Sequence, residues 1–401
     1  MSPAGLAWRG LVRQPARAAL GVAGIAVVGA LLFDMLLLSR GLVVSFRDIL
    51  EGAGFDVRVT ATDAPPLLGP PLRDAETLAE RVRALPEVRD AVPLRSGKAE
   101  ATAADGSTLP IYFFGTGSRS GHGWTAIEGS GLTPSADAGT VPVVVNRRLA
   151  SRLSLTPGSK LRLRGACGSQ ATALPPVEMK VQGIVAFPFD SSAGLTAMTT
   201  LPGFLRVCAN ESPGLAELLL VASKPEAGAD AAVAAIRRVA PGLHVFSNEQ
   251  LLDRLQRTDF SYFRQISFVL SAITIFFAFL LVTTLLTVSV NQRLGELAVL
   301  RALGFRRWRI VSGLLCESLL LVGAGGLLAL PGGALLALWL DRILRTMPDL
   351  PERLHFFVFE PRAVLLHVAI IALTALLAAA YPAVLVARLP IAATLRREVV
   401  S

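Results

Sequence analysis

The chain has 401 residues, 52% of them hydrophobic and 17% charged, with a formal net charge of +9. So basic a soluble protein would suit nucleic acid, but no RNP, zinc or helix-turn-helix signature with interleaved aromatics occurs, and most of the excess charge lies beside apolar runs. Three cysteines and the singly scattered His122, His244, His355 and His367 match no metal-ligand spacing, and none of these histidines is assigned a catalytic role.

In chain order, the first element is an apolar run over 18–39 whose single charge is Asp34. A hydrocarbon core about 30 Å thick needs roughly 20 apolar residues of helix. By that measure 18–39, 265–290, 310–340 and 363–387 are each predicted to span a membrane. The first run is too long for a signal-peptide core and lacks a small-residue cleavage site, so it reads as a retained anchor. Arginines set the orientation. Arg9, Arg13 and Arg17 precede the first span; Arg293, Arg301, Arg306, Arg307 and Arg309 separate the second and third; Arg388, Arg396 and Arg397 follow the fourth. Segments 1–17, 291–309 and 388–401 are therefore expected in the cytoplasm, with 40–264 and a short link over 341–362 outside.

The outer segment of about 225 residues is long enough for one large or two small domains. Strands are predicted at Phe55–Ala61, Leu109–Phe114, Val141–Val145, Lys160–Arg164, Glu178–Ala186 and Leu215–Ala222. Helices are predicted at Ala75–Leu85, capped by Asp74, at Asn146–Leu153 and at Ala229–Val239. Pro65–Pro71, Gly115–Gly123 and Pro175–Pro176 read as loops. Leu42–Leu50 and Ser247–Gln265 carry no proline and are expected to be helical stalks continuous with spans one and two, Gly41 being the only helix-weakening residue at the first joint. An oxidising exterior would permit a disulfide between Cys167 and Cys208; bonded and free states both stay open, since spacing does not fix how near their Cα atoms lie.

Small residues recur every fourth position at Gly325, Ala329 and Gly333 in span three and at Ala375, Ala379 and Ala383 in span four, a pattern that lets helix backbones approach closely. Pro331 and Pro382 are expected to kink these helices. Asp34 and Glu317 are the intramembrane carboxylates, candidates for function because burying such a group without a partner is costly. No G-x-x-x-x-G-K-[ST] loop, G-x-S-x-G elbow or H-E-x-x-H motif occurs, so the chain is expected to be non-catalytic, without cofactor or metal.

The segment Asn291–Ile310, NQRLGELAVLRALGFRRWRI, carries the strongest signal. At about 100° per residue, Arg293, Glu296 and Arg301 fall within an arc of roughly 140°, with Leu297 and Leu300 interleaved. A face mixing charge with leucine suits a groove on another protein, and Gly304 is placed to end the helix.

RLGELAVLRALGF at Arg293–Phe305, the following apolar run with Glu317, the ending YPAVLVARLPIAATLRRE at Tyr381–Glu398 and the four-span layout together resemble the FtsX, MacB and LolC/LolE family of ABC transporter permeases. The opening LAWRGLVRQPARAALGVAGIAVVGALLF looks nearest to its DevC-like branch. The resemblance implies an α-helical membrane protein of four transmembrane helices, with a large α+β periplasmic domain between helices 1 and 2, in the bacterial inner membrane. It implies a homo- or heterodimer of permeases carrying an ABC ATPase that supplies ATP and magnesium chemistry, and a coupling helix matched by Arg293–Leu303. Because the chain begins only about 17 residues before the first span, the ATPase is expected to be a separate polypeptide. Two functions follow from the resemblance: mechanotransmission that exports or extracts an amphipathic or lipidic substrate through a periplasmic adaptor and outer-membrane channel, or FtsX-like activation of a cell-wall hydrolase without transport.

Overall fold

The computed structural model describes residues 5, 12 and 15–387, apart from 65, 104–105, 118–122, 134–139, 168–174, 210–211, 258–260, 293, 296–306, 348–349 and 360. The chain forms two compact units: a helical unit of residues 1–42, 260–344 and 355–401, and a sheet unit of residues 43–259 and 345–354.

The first helix, α1 (Pro15–Gly52), runs without interruption through the first apolar span and the expected stalk. Proline is tolerated at its first residue because a helix leaves that N–H unbonded in any case. Gly41 does not weaken the helix. A Cβ there would stand 2.3 Å from the Phe356 carbonyl oxygen and 2.7 Å from the Val358 nitrogen, so glycine is what lets the link chain pass against α1.

The sheet unit follows in the order β1 (Val57–Thr60), α2 (Ala75–Arg83), β2 (Val88–Thr102), β3 (Thr108–Thr116), β4 (Thr125–Gly129), β5 (Val141–Asn146), α3 (Arg147–Leu153), β6 (Lys160–Gly165), β7 (Val177–Ala186), β8 (Thr196–Thr200), α4 (Leu201–Val207), β9 (Leu218–Ser223), α5 (Gly228–Val239), β10 (His244–Ser247) and α6 (Asn248–Arg257). The strands form one mixed sheet, β10-β1-β9-β2-β3-β8-β5-β7-β4, with β6 pairing to β2 and β7. Pairs β3·β8 and β5·β7 are parallel.

The two largest hydrophobic cores among the described residues lie along this sheet. One gathers Val57, Val59, Leu219 and Val221 of the strands under Leu78 and Val82 of α2 and Val233 and Ile236 of α5. The other gathers Val143, Val145, Leu161, Leu163 and Phe113 with Leu149 of α3 and Phe204 of α4. Each fully buried aliphatic side chain of this kind contributes about 1.5–3 kcal/mol. β2 belongs to both: Val88–Leu94 pair with β9, whereas Leu94–Thr102 pair with β3.

Three local expectations need correction. Asp74 does not cap α2; its backbone is left-handed (φ 49°), its side chain makes no cap bond, and Gly214 instead accepts from the Ala75 N–H at 2.8 Å. Gly115 and Thr116 belong to β3, so the loop begins at Gly117. Strands β2, β4, β8 and β10 were not foreseen. β2 reads RDAVPLRSGKAE through its middle, and its proline, glycine and charges conceal a strand that gets its pairing from both sides.

In the helical unit, α7 (Ser261–Gln292), α8 (Arg307–Leu344) and α9 (Pro361–Ala387) join α1. The stretches Ala18–Gly52, Gln265–Gln292, Trp308–Leu344 and Pro361–Val384 are long and apolar enough to cross a membrane. Pro331 and Pro382 lie inside α8 and α9, each of which continues through its proline. Continuity between α6 and α7 passes through 258–260, outside the described residues.

Candidate functional site

Of the predicted coupling residues, Arg293, Glu296, Leu297, Leu300, Arg301, Leu303 and Gly304 all lie outside the described residues. Their flanks are placed. Val290 near the end of α7 packs with Ile310 and Leu314 at the start of α8, and Leu294 joins them. The end of α7 and the start of α8, on either side of that segment, therefore touch.

Just inside this junction, Ser289 of α7 donates to the Glu317 carboxylate of α8 at 3.0 Å, and Glu317 is only 8% exposed. Ser318 donates to the Ala375 carbonyl of α9 at 3.1 Å. Asp34 of α1 is 1% exposed, and its Oδ1 has no hydrogen-bond partner among the described residues. It lies beside Phe33, which packs edge-on against the His367 ring at 5.2 Å. The two carboxylates thus differ: Glu317 is tied to a neighbouring helix, and Asp34 has an oxygen left over.

The small residues face particular neighbours. A Cβ at Gly325 would lie 2.6 Å from Ile25 Cγ2, and one at Gly333 would lie 3.0 Å from Phe33 Cδ1 and 3.1 Å from the Ala30 carbonyl. Ala329 meets Gly29, where an added Cβ would come within 2.8 Å. All three therefore lie along the α1–α8 seam. Ala375 and Ala379 are fully buried among Val282, Leu286, Leu321 and Val322, and Ala383 is 7% exposed.

In the sheet unit, Cys167 and Cys208 form a disulfide, with Cα atoms 5.6 Å apart across a sequence separation of 41. Closing a loop of that length contributes about 3–4 kcal/mol in the chain-entropy model. The bridge lies under Phe204, which stacks on Phe113 at 5.2 Å and fills the space over Gly97 and Gly115.

A polar site that sequence reasoning missed is built where the link returns. Residues 345–354 fold with the sheet unit. Ser191 and Pro351 form an antiparallel bridge, the Ser192 N–H donates to Leu350 O at 3.2 Å, and the Glu352 N–H donates to Asp190 O at 2.8 Å. Arg148 of α3 is ion-paired with the Glu352 carboxylate, its Nε donating at 3.0 Å. Asn146 both caps α3, accepting from the Leu149 N–H at 2.9 Å, and donates to Asp190 Oδ1 at 3.2 Å and Gly194 O at 2.9 Å. Burial raises the Asp190 carboxyl above its usual range and the nearby Glu352 charge adds to the rise, against hydrogen bonds from Thr196, Phe187 and Asn146. Beside these groups opens a cavity of about 1030 Å³. No local pattern announced it, because its walls come from α3, the 185–195 turn and a link some 160 residues further on.

At the base of the second stalk, the buried Arg58 guanidinium donates to the Asn248 side chain, which in turn donates to Phe55 O at 3.1 Å. Burial pulls the Arg58 pKa down to about 10, partly offset by Asp56.

Residues 18–239 match the family model described as the MacB-like periplasmic core domain, and residues 268–391 match the FtsX-like permease C-terminal model. The chain belongs to the MacB- and FtsX-type family of ABC transporter permeases. It is accordingly a membrane protein with a periplasmic domain, of a family that is generally non-catalytic and works as a dimer with an ABC ATPase. Among solved structures, the periplasmic region of MacB from Actinobacillus actinomycetemcomitans is similar at 11% identity and TM-score 0.39, covering 52% of this chain and 96% of that one. The extracellular domain of the noncanonical ABC-type transporter YknZ from Gram-positive bacteria is similar at 12% identity and TM-score 0.34, covering 48% of this chain and 98% of that one. None of the curated proteins matches this sequence.

Proposed function

We propose that this chain is the transmembrane subunit of an inner-membrane transporter in which a separate ATPase hydrolyses ATP and the resulting motion is carried to the periplasmic domain, exporting or extracting an amphipathic or lipidic substrate. Both termini face the cytoplasm in this reading, and Arg293–Leu303 is the element that the ATPase grips. ATP and magnesium belong to that partner.

The supporting observation is the unbroken α1. A helix kept continuous from Pro15 to Gly52 transmits tilt and translation along its length, because every backbone bond in it resists bending locally. Its outer end is gripped: Leu50 packs with Leu251 and Leu252 of α6, the helix that leads toward the second span. A rod anchored this way suits force transfer better than a flexible linker would.

The test reverses charge in the coupling segment. Glu296→Lys and Arg301→Glu, made singly in the full-length permease, are expected to abolish co-purification of the ATPase and its substrate-stimulated turnover while leaving the permease folded in the membrane. Unchanged recruitment and turnover in both variants would overturn the assignment.

A further inference from the structure

The cavity of about 1030 Å³ in the sheet unit is charged in a particular way. Arg147, Arg148 and Arg152 of α3 line it together with Arg353 of the link, against the carboxylates of Asp190 and Glu352. Arg148 is committed to Glu352. The other three arginines are exposed and make no ion pair or side-chain hydrogen bond among the described residues. Three unpartnered guanidinium groups converging on one hollow repel each other, an arrangement that an anion relieves. The Asp190 carboxylate in the same lining is taken up by hydrogen bonds from the Asn146 side chain and the Phe187 N–H.

The remaining wall is apolar. Leu109, Ile127, Phe187 and Leu195 line the same hollow. Guanidinium forks match the paired oxygens of phosphate better than a point-charge ammonium does, and an adjacent apolar wall accepts hydrocarbon. Arg353 lies eight residues before Pro361, the first residue of α9, in sequence.

We propose that this cavity binds the phosphate-bearing head of an anionic membrane amphiphile, with Arg147, Arg152 and Arg353 on the phosphate and Leu109, Ile127, Phe187 and Leu195 against the start of its chains. The assignment names the substrate class of the transport reading and rests on it. Arg148 and Glu352 act as positioning residues, fixing the link so that Arg353 faces the hollow.

The test is equilibrium binding to the full-length permease in detergent, using short-chain phosphatidylglycerol, short-chain phosphatidylcholine and inorganic phosphate as probes. Phosphatidylglycerol is expected to bind at least tenfold more tightly than either of the others and to weaken as salt rises. The triple variant Arg147→Gln/Arg152→Gln/Arg353→Gln should lose at least tenfold in that affinity. Removing the same charge elsewhere in the sheet unit, with Arg73→Gln/Arg81→Gln/Lys224→Gln, should not. Equal affinity for the zwitterionic lipid, competition by phosphate alone at similar concentration, or equal losses in the two triple variants would each overturn the proposal. Binding needs no ATPase, so the Glu296 and Arg301 reversals should leave it unchanged, and failure of coupling is thereby distinguished from failure of the site.

Discussion

Asp190 is held by Asn146, by the Phe187 N–H and by burial, and its pKa lies above the ordinary carboxylate range. For an acid shifted upward, stability is fully present below the unfolded pKa of about 3.9 and is lost as pH rises through the folded value. Thermal unfolding of the full-length protein should therefore show the sheet unit losing stability as pH rises above about 4. Asp190→Asn should flatten that slope, and an identical slope in the variant would refute this account of the residue. Gly41 and Gly52 form a second residue-scale contrast on one helix. A Cβ at Gly41 meets backbone, whereas one at Gly52 meets nothing within 4 Å. Gly41→Ala is expected to cost about 1–3 kcal/mol through forced backbone displacement. Gly52→Ala should be neutral or stabilising by up to about 1 kcal/mol. Melting temperatures of the two variants, measured side by side, decide the matter.

Among elements, the α1–α8 seam makes a similar comparison possible. Gly325 has Ile25 and the Val22 carbonyl within 3.0 Å of an added Cβ, while Gly323, on the same helix, has open space. Gly325→Leu should separate the two helices, seen as faster proteolysis and lower thermal stability in detergent, and Gly323→Leu should leave both unchanged. The four-residue spacing of Gly325, Ala329 and Gly333 was legible because helix periodicity is a local property, written into consecutive turns. The membrane spans were legible for the same reason, since length and hydropathy need no knowledge of neighbours. β5, with its VPVVV run, and β6 and β7, with their alternation, could also be read directly. β2 could not, because its strand character is conferred by β9 on one half and β3 on the other. The arginine-lined hollow was equally hidden. Arg147 and Arg152 lie within the short helix predicted from the sequence, and only the fold brings Arg353 to them.

At the scale of the whole molecule, the chain passes between its two units after residues 42, 259, 344 and 354. The passage at 345–354 is short, yet its backbone is bonded to 190–192. Within the sheet unit, two cores share one sheet, and amide hydrogen exchange should report them opening together, with β2 amides among the slowest. Separate opening of the two cores, with β2 exchanging early, would contradict that.

The shared strand also limits how this domain deforms. Two lobes hinged by a loop open and shut like jaws, but lobes strung on one strand of 15 residues tip as a single plank, and widening the gap between them means tearing a row of ladder bonds. A ligand in the proposed hollow would accordingly meet its walls at the rim, formed by the seven-residue α3 and the returning link, with no rung of that strand broken.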